Sequence, residues 1–143
     1  MAVKRAYPDD HERETSQTMK TLSGLDGLFL HLETPATPMH VGSLSLLELP
    51  ANHRGNFCKS VQRHYARRLS LAPVLSRKLA AMPLQLANPV WVQADDVDLK
   101  YHVQRVVLPR PGTQAQLEEC VGRLHSLLLD RTRPLWMVYI IEG

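Results

Sequence analysis

Apolar residues recur at the three- and four-residue spacing of an amphipathic helix in three segments of the chain. These segments are 21–34, 56–70 and 113–129. The pattern is clearest in the third segment, where the apolar positions are Leu117, Cys120, Val121, Leu124 and Leu128. The first segment opens with Ser23 and Asp26, which have the spacing of a helix capping signal, and Pro35 follows it and prevents continuation. We therefore predict three helices.

Shorter apolar runs between these helices predict strands. The runs are 39–49, 78–82, 90–93, 99–108 and 135–141. The alternation of apolar and polar residues is good in 99–108 but imperfect in 39–49, which indicates that the first strand is buried on both faces for part of its length. Since helices and strands follow one another in mixed order, we predict an α/β or α+β layered fold.

The first twenty residues differ from the rest of the chain. They are polar, carry charges of both signs and lack the apolar run of a signal peptide. We expect residues 1–20 to form a flexible N-terminal tail and residues 21–143 to form one domain. No stretch approaches the roughly 20 apolar residues of a membrane-spanning helix. We therefore expect a cytoplasmic protein that at most lies against a membrane surface.

The composition is that of an ordinary globular protein, with 44% hydrophobic and 22% charged residues. The net charge is +3 and the pI about 9.1. The densest basic cluster consists of Arg63, His64, Arg67, Arg68, Arg77 and Lys78. No nucleic-acid-binding module accompanies this cluster, so we do not expect a nucleic-acid partner. It is most simply a solvated helix face, and a surface for anionic lipid or a phosphorylated cofactor is a further interpretation.

Residues that could carry chemistry are scattered. Cys58 and Cys120 lie far apart within predicted helices, where a free thiol acts as a small apolar group, and this suits a reducing cytosol. The seven histidines have no metal-binding spacing. Three neighbouring carboxylates could hold a divalent cation, but a solvated turn is the preferred interpretation for Asp95, Asp96 and Asp98. We therefore predict no metal site.

Three longer stretches together resemble one family, although the chain contains no P-loop, GxGxxG, GxSxG or HExxH motif. LSGLDGLFLHLETPATPMHVGSL is similar to the opening of the bacterial wax ester synthase/acyl-CoA:diacylglycerol acyltransferases. PVWVQADDVDLKYHV and LPRPGTQAQLEECVGRLHSLLLDRTRPLWMVYIIEG are similar to that family's next two blocks, in the same order. The resemblance covers about residues 21–143.

This resemblance implies the N-terminal part of the first lobe of a CoA-dependent acyltransferase fold, in which two chloramphenicol acetyltransferase-like α/β lobes enclose a channel. It implies transfer of a fatty acyl group from the substrate acyl-CoA to diacylglycerol or a long-chain alcohol, with no permanently bound cofactor. The family's catalytic motif is HHxxxDG, whose second histidine is the general base. The chain lacks this motif, since His125 and Asp130 have the wrong spacing and Arg131 replaces the glycine. We therefore expect no catalytic residue in this chain, an end just before the catalytic motif, and no activity without the missing C-terminal lobe.

Two short motifs of the family match positions of this sequence. The PLW motif corresponds to Pro134, Leu135 and Trp136, and the resemblance implies that it supports the architecture beside the active site, although simple core filling is an equal interpretation for Trp136. The family's first strand, near the acyl channel, corresponds to Met39, His40, Val41 and Gly42, which are therefore candidate channel-lining residues. For Arg131 and Arg133, an ion pair or a surface role is favoured over contact with a CoA phosphate.

Three hypotheses for function stay open. The first is part of a lipid acyltransferase that acts on acyl-CoA and a lipid alcohol or diacylglycerol, at a membrane or lipid-droplet surface. The second is a non-catalytic module that binds lipid surfaces or acyl-CoA through the basic face of residues 59–78. The third is a degenerate gene product that folds poorly.

Overall fold

The computed structural model of the protein describes residues 20–80 and 89–143. Its strands are β1 (Lys20–Thr21), β2 (Arg77–Ala80), β3 (Val90–Gln93), β4 (Val103–Val107) and β5 (Val138–Glu142). Its helices are α1 (Gly24–Leu32), α2 (Phe57–Arg68), the single turn α3 (Leu99–His102) and α4 (Gln114–His125). Two short 3-10 turns, Leu69–Leu71 and Pro73–Ser76, connect α2 to β2. The predicted mixture of helices and strands is confirmed.

The strands form two small sheets of opposite character. In the first sheet β3 lies between β1 and β2 and is antiparallel to both, with Leu79 opposite Trp91. In the second sheet β4 and β5 are parallel, with Arg105 opposite Ile140. Helix α4 connects this parallel pair, because parallel neighbours need a long crossover between them.

Polar side chains at the N-terminal ends fix where the helices begin. The Ser23 hydroxyl accepts a hydrogen bond from the Asp26 backbone N–H at 3.1 Å, as the predicted capping signal requires. The Asn56 side chain accepts from the Lys59 N–H at 2.8 Å at the start of α2. At α4, Thr113 and Gln116 form a complete capping box. The three predicted helices are therefore confirmed, although each is shorter than its apolar pattern.

The most deeply buried apolar side chains of the described residues lie where α2 packs against the start of β4. Val103 is fully buried there, and its carbonyl oxygen accepts a hydrogen bond from the Gln62 side chain of α2 at 2.8 Å. The remaining buried apolar residues are Leu22, Cys58, Val90, Ala94 and Cys120. Both cysteines are free and buried in helices, as predicted. Among the described residues this core is small, and it leaves much apolar surface uncovered.

The prediction of a strand over 39–49 is wrong. Residues 39–49 have no regular secondary structure, and Val41, Leu46 and Leu47 are 96%, 79% and 73% exposed. A strand exists through backbone hydrogen bonds to a neighbouring strand. Among the described residues, no backbone-to-backbone hydrogen bond involves this segment. The segment therefore has apolar residues at strand-like positions but no hydrogen-bonded neighbour in the described part of the chain.

Two further predictions are corrected in detail. The strand predicted over 99–108 begins only at Val103, because the Asp98 carboxylate accepts hydrogen bonds from the N–H groups of Lys100 and Tyr101 and starts one helical turn first. The strand predicted over 135–141 begins at Val138.

The other strand predictions agree with the structure. The run 90–93 is β3, and the run 78–82 overlaps β2, although its last two residues lie outside the described residues. The predicted tail also lies outside them, except for Lys20, which begins β1.

Candidate functional site

A wide apolar groove runs along one side of the described structure. Its volume is about 1950 Å³, larger than the roughly 300–1,000 Å³ of a typical ligand pocket because it is open along its length. Its walls include the exposed leucines Leu44, Leu46, Leu47 and Leu49, parts of α1, α2 and α4, and strand β5. Both motifs singled out in the sequence reach this groove, through Met39–Gly42 and through Leu135 and Trp136.

Trp136 contacts three segments that are distant in the sequence. Its indole N–H donates a hydrogen bond to the carbonyl of Leu75 at 2.8 Å, in the second 3-10 turn. One ring face stacks on Tyr65 of α2, with ring centroids 5.5 Å apart and planes tilted by 15°. Another contact is the stack with His102, whose ring centroid lies 4.3 Å away. The PLW motif therefore supports the wall of the groove, with Pro134 buried and Leu135 and Trp136 half-buried.

His102 is the most buried polar side chain of this region, at 1% exposure. Its Nδ1 lies 2.8 Å from the carbonyl oxygen of Trp136. Because a carbonyl can only accept, Nδ1 carries the proton. His102 thus ties α3 to the segment before β5 by a hydrogen bond and a ring stack. Arg133, next to the motif, lies over the Tyr101 ring at 4.2 Å and adds a cation–π contact.

Arg131 joins the PLW segment to α1. Its guanidinium donates to the Glu33 carboxylate at 2.9 Å and to the Leu30 carbonyl at 2.7 Å. The other carboxylate oxygen of Glu33 accepts from the backbone N–H of Met39 at 3.3 Å. The expected ion-pair role of Arg131 is confirmed, and Arg133 likewise pairs with Asp130 at 3.4 Å.

The charge state of Glu33 follows from these contacts. Burial raises the pKa of the Glu33 carboxyl, but the hydrogen bonds from Arg131 and the Met39 N–H outweigh it and hold this pKa below its usual range. Only 9% of the Glu33 side chain is exposed, against 45% for Arg131. The carboxylate therefore stays ionised and fixes the start of the Met39–Gly42 segment beside α1.

His40 and His125 face each other across the groove wall. Their ring centroids lie 4.8 Å apart, and the Nδ1 atom of His40 is buried without a hydrogen-bond partner among the described residues. Gly42 leaves room for this pair, since a Cβ on it would lie 3.0 Å from the His125 ring. In the sequence, His125 and Asp130 are the residues most similar to the missing HHxxxDG motif. In the structure, His125 contacts the Met39–Gly42 segment.

The remaining candidates have structural roles in the described residues. Asp98 caps α3 and Asp96 accepts from the Val97 N–H at 2.8 Å. No group of three or more potential metal ligands occurs within residues 20–80 and 89–143. No helix in this part of the chain is long and apolar enough to cross a membrane.

The sequence did not identify His102 or Tyr65 as part of the site. His102 sits in an alternating run that reads as a strand, and Tyr65 sits on the apolar face of a helix. Neither position carries a signal beyond hydrophobic periodicity. Their contact with Trp136 depends on segments 34 and 71 residues apart, which no local pattern encodes.

The described fold is similar to part of a solved wax ester synthase/diacylglycerol acyltransferase. The structure of the enzyme of that name from Marinobacter aquaeolei VT8 matches 87% of this chain with a TM-score of 0.73 and 34% sequence identity, and the match covers 31% of that protein. Residues 22–143 match the sequence model of the wax ester synthase/diacylglycerol acyltransferase catalytic domain. The chain belongs to this family.

Two relatives from Mycobacterium tuberculosis, each named as a probable diacylglycerol O-acyltransferase, are similar in sequence. One is 41% identical over 122 residues, which are 85% of this chain and 44% of the relative. The other is 38% identical over 118 residues, which are 82% of this chain and 26% of the relative. The chain thus spans less than half of the length of these curated relatives.

Proposed function

We propose that this chain forms part of an O-acyltransferase that moves a fatty acyl group from acyl-CoA to diacylglycerol or a long-chain alcohol. The match of residues 22–143 to the family's catalytic domain carries the proposal. The names of the relatives support the same reaction. The chain contains no HHxxxDG motif, so the general base is not among its residues and the 143-residue chain is inactive by itself.

The contribution of this chain is a shaped apolar wall. Leu44, Leu46 and Leu47 line the groove and are each more than half exposed, which suits contact with an acyl chain or the tails of a lipid acceptor. Trp136 and its stacking partners hold the wall in place. The Arg131–Glu33 ion pair positions the Met39–Gly42 segment at one end of it, as a lining of the acyl channel.

A chimera tests this proposal. Residues 22–143 replace the matching segment of the Marinobacter aquaeolei enzyme, and CoA release is measured with a long-chain acyl-CoA and either diacylglycerol or a long-chain alcohol. We expect transfer to at least one acceptor by the chimera and none by the 143-residue chain. A chimera that unfolds cooperatively and binds acyl-CoA but transfers to neither acceptor contradicts the proposal.

A matched pair of variants tests the role of the wall. In the chimera, Leu46→Asp places a charge in the groove, and Leu25→Asp places one at an exposed leucine of α1 that does not line it. We expect Leu46→Asp to raise KM for long acyl-CoA more than for short acyl-CoA, and Leu25→Asp to change neither value. Equal effects of the two variants would show that the exposed leucines do not contact the acyl chain.

A further inference from the structure

Positive charge is concentrated in one part of the chain. Residues 49–94 contain seven Lys and Arg residues and no Asp or Glu, whereas all 14 acidic residues of the protein lie elsewhere. The seven are Arg54, Lys59, Arg63, Arg67, Arg68, Arg77 and Lys78. Although the net charge is only +3, basic and acidic residues are strongly separated along the chain.

Helix α2 presents part of this charge on its outer face. Its inner face carries Cys58 and Gln62, which contact the Val103 carbonyl of β4. Lys59, Arg63 and Arg67 follow at four-residue steps on the opposite side, and all three are exposed. We name Lys59, Arg63 and Arg67 the cationic face of α2.

Within residues 20–80 and 89–143, no carboxylate forms a salt bridge with the cationic face. Among the described residues, the three salt bridges involve arginines of other segments, namely Arg105, Arg131 and Arg133. In the same part of the chain the guanidinium of Arg63 donates a hydrogen bond to the neutral hydroxyl of Ser60, at 3.2 Å. The charge of α2 is thus available to an external anion.

Two exposed apolar side chains follow directly after the cationic face. Leu71 continues the four-residue spacing into the first 3-10 turn and is 78% exposed, and Val74 in the second turn is 68% exposed. Neither residue lines the groove. Peripheral proteins often bind anionic membranes through basic side chains next to exposed apolar ones. The basic side chains are attracted to the lipid headgroups, and the apolar side chains enter the membrane interface.

We infer that the cationic face of α2, together with Leu71 and Val74, is a docking surface for an anionic phospholipid bilayer. The apolar pair favours lipid over a nucleic acid or a free phosphate, because a phosphate backbone offers no apolar layer for Leu71 and Val74 to enter. The inference goes beyond the proposed acyl transfer, since vesicle binding is measured without acyl-CoA and succeeds or fails independently of it.

Vesicle flotation of the 143-residue chain tests the inference, with equal parts of phosphatidylglycerol and phosphatidylcholine against phosphatidylcholine alone. We expect binding to the anionic vesicles at low salt and a strong loss in 1 M NaCl, where the Debye length falls to about 3 Å. The inference is wrong if the chain binds both vesicle types equally well. It is also wrong if salt leaves the binding unchanged, because the cationic face would then not be attracted to anionic lipid.

Two sets of variants divide the contributions. The triple variant Lys59→Gln, Arg63→Gln, Arg67→Gln should bind about a hundredfold more weakly, at about fivefold for each cation removed. The control triple variant Lys100→Gln, Arg110→Gln, Arg123→Gln removes the same charge from exposed positions elsewhere and should change binding less than fivefold, by about a few-fold at most. Equal losses in the two triple variants would refute a localised surface.

The apolar pair is tested separately. The double variant Leu71→Ala, Val74→Ala should bind anionic vesicles about tenfold more weakly, because apolar groups no longer enter the interface. Its binding to duplex DNA, the competing polyanion, should be unchanged. If wild-type protein binds DNA as tightly as vesicles and the double variant weakens neither, the surface recognises polyanions in general and the lipid assignment is wrong.

Discussion

Replacing Trp136 by phenylalanine isolates one contact of the site. The indole N–H donates to the carbonyl of Leu75 at 2.8 Å, and the ring stacks against Tyr65 and His102. Phenylalanine keeps an aromatic ring in this stack but has no donor. The Leu75 carbonyl is then left without its partner in a half-buried place.

The expected cost follows from these contacts. A buried acceptor without its donor costs about 1–3 kcal/mol, and part of the loss is recovered where water reaches the half-buried site. The smaller ring also gives up some contact with its neighbours. We therefore expect Trp136→Phe to lower the free energy of unfolding by about 2 kcal/mol, and Trp136→Ala by about 4 kcal/mol, in the range of large aromatic truncations. Against a total of about 5–15 kcal/mol, the alanine variant is severely destabilised.

The chain offers a matched control in Trp91 on β3. This half-buried tryptophan has no indole hydrogen bond among the described residues, so Trp91→Phe should cost less than about 1 kcal/mol. Urea and thermal unfolding followed by far-UV circular dichroism compare the two variants with one probe. About 2 kcal/mol corresponds to a fall in Tm of roughly 8 °C for a chain of this size. If Trp136→Phe and Trp91→Phe differ by less than about 0.5 kcal/mol, the Leu75 hydrogen bond does not stabilise the fold.

Four further substitutions have expected outcomes that the same unfolding measurements check. Glu33→Gln should lower the free energy of unfolding by about 1 kcal/mol at pH 7. Burial raises the pKa of the Glu33 carboxyl, but the hydrogen bonds from Arg131 and the Met39 N–H outweigh it and lower this pKa, so the difference from wild type should shrink as the pH falls below about 4.3; a difference that does not shrink there would contradict the ion pair. Gly112→Ala should lower the free energy of unfolding by about 1–2 kcal/mol, because Gly112 has φ +71° and a Cβ there would lie 2.7 Å from the Gly143 backbone. An unchanged free energy of unfolding would show that this turn adapts to the Cβ. Gly122→Ala should gain about 0.5–1 kcal/mol because nothing opposes a Cβ in that exposed helix, and a loss would reveal a contact there. Thr113→Ala removes the capping box of α4 and should cost about 1 kcal/mol, whereas no loss would mean that water caps the helix equally well.

Local chemistry made the helices predictable from the sequence. Ser23, Asn56 and Thr113 cap their own helices through side chains three residues from the N–H groups they bind. Such contacts need no tertiary partner, so the sequence pattern is sufficient. The strand β3 was also predictable, because prolines and polar residues delimit a short β-branched run.

The two main errors have different physical origins: one predicted strand has no partner among the described residues, and the other begins later because a local side chain binds its first N–H groups. Residues 39–49 alternate like a strand but have no neighbour among the described residues. Residues 99–102 alternate equally well, but the Asp98 side chain captures two N–H groups and makes a helical turn. Periodicity reports which side chains avoid water, and it does not report which backbone groups find partners.

The candidate site shows the same limit. The PLW and MHVG motifs were visible because a family resemblance identified them, and the structure places both at one groove. The buried partner His102 and the stacking partner Tyr65 were invisible because nothing in their local sequence distinguishes them from core residues. Their roles depend on which distant segments meet at Trp136.

The position of Trp136 along the chain has a consequence for biosynthesis. Tyr65 is synthesised 71 residues before Trp136, an interval of roughly 4–14 s at about 5–20 residues per second. During this interval Tyr65, and later Leu75 and His102 once they are synthesised, lack the Trp136 side chain that all three contact. A nascent chain therefore carries an incomplete aromatic cluster for several seconds. During that interval chaperones that bind exposed apolar segments can bind it.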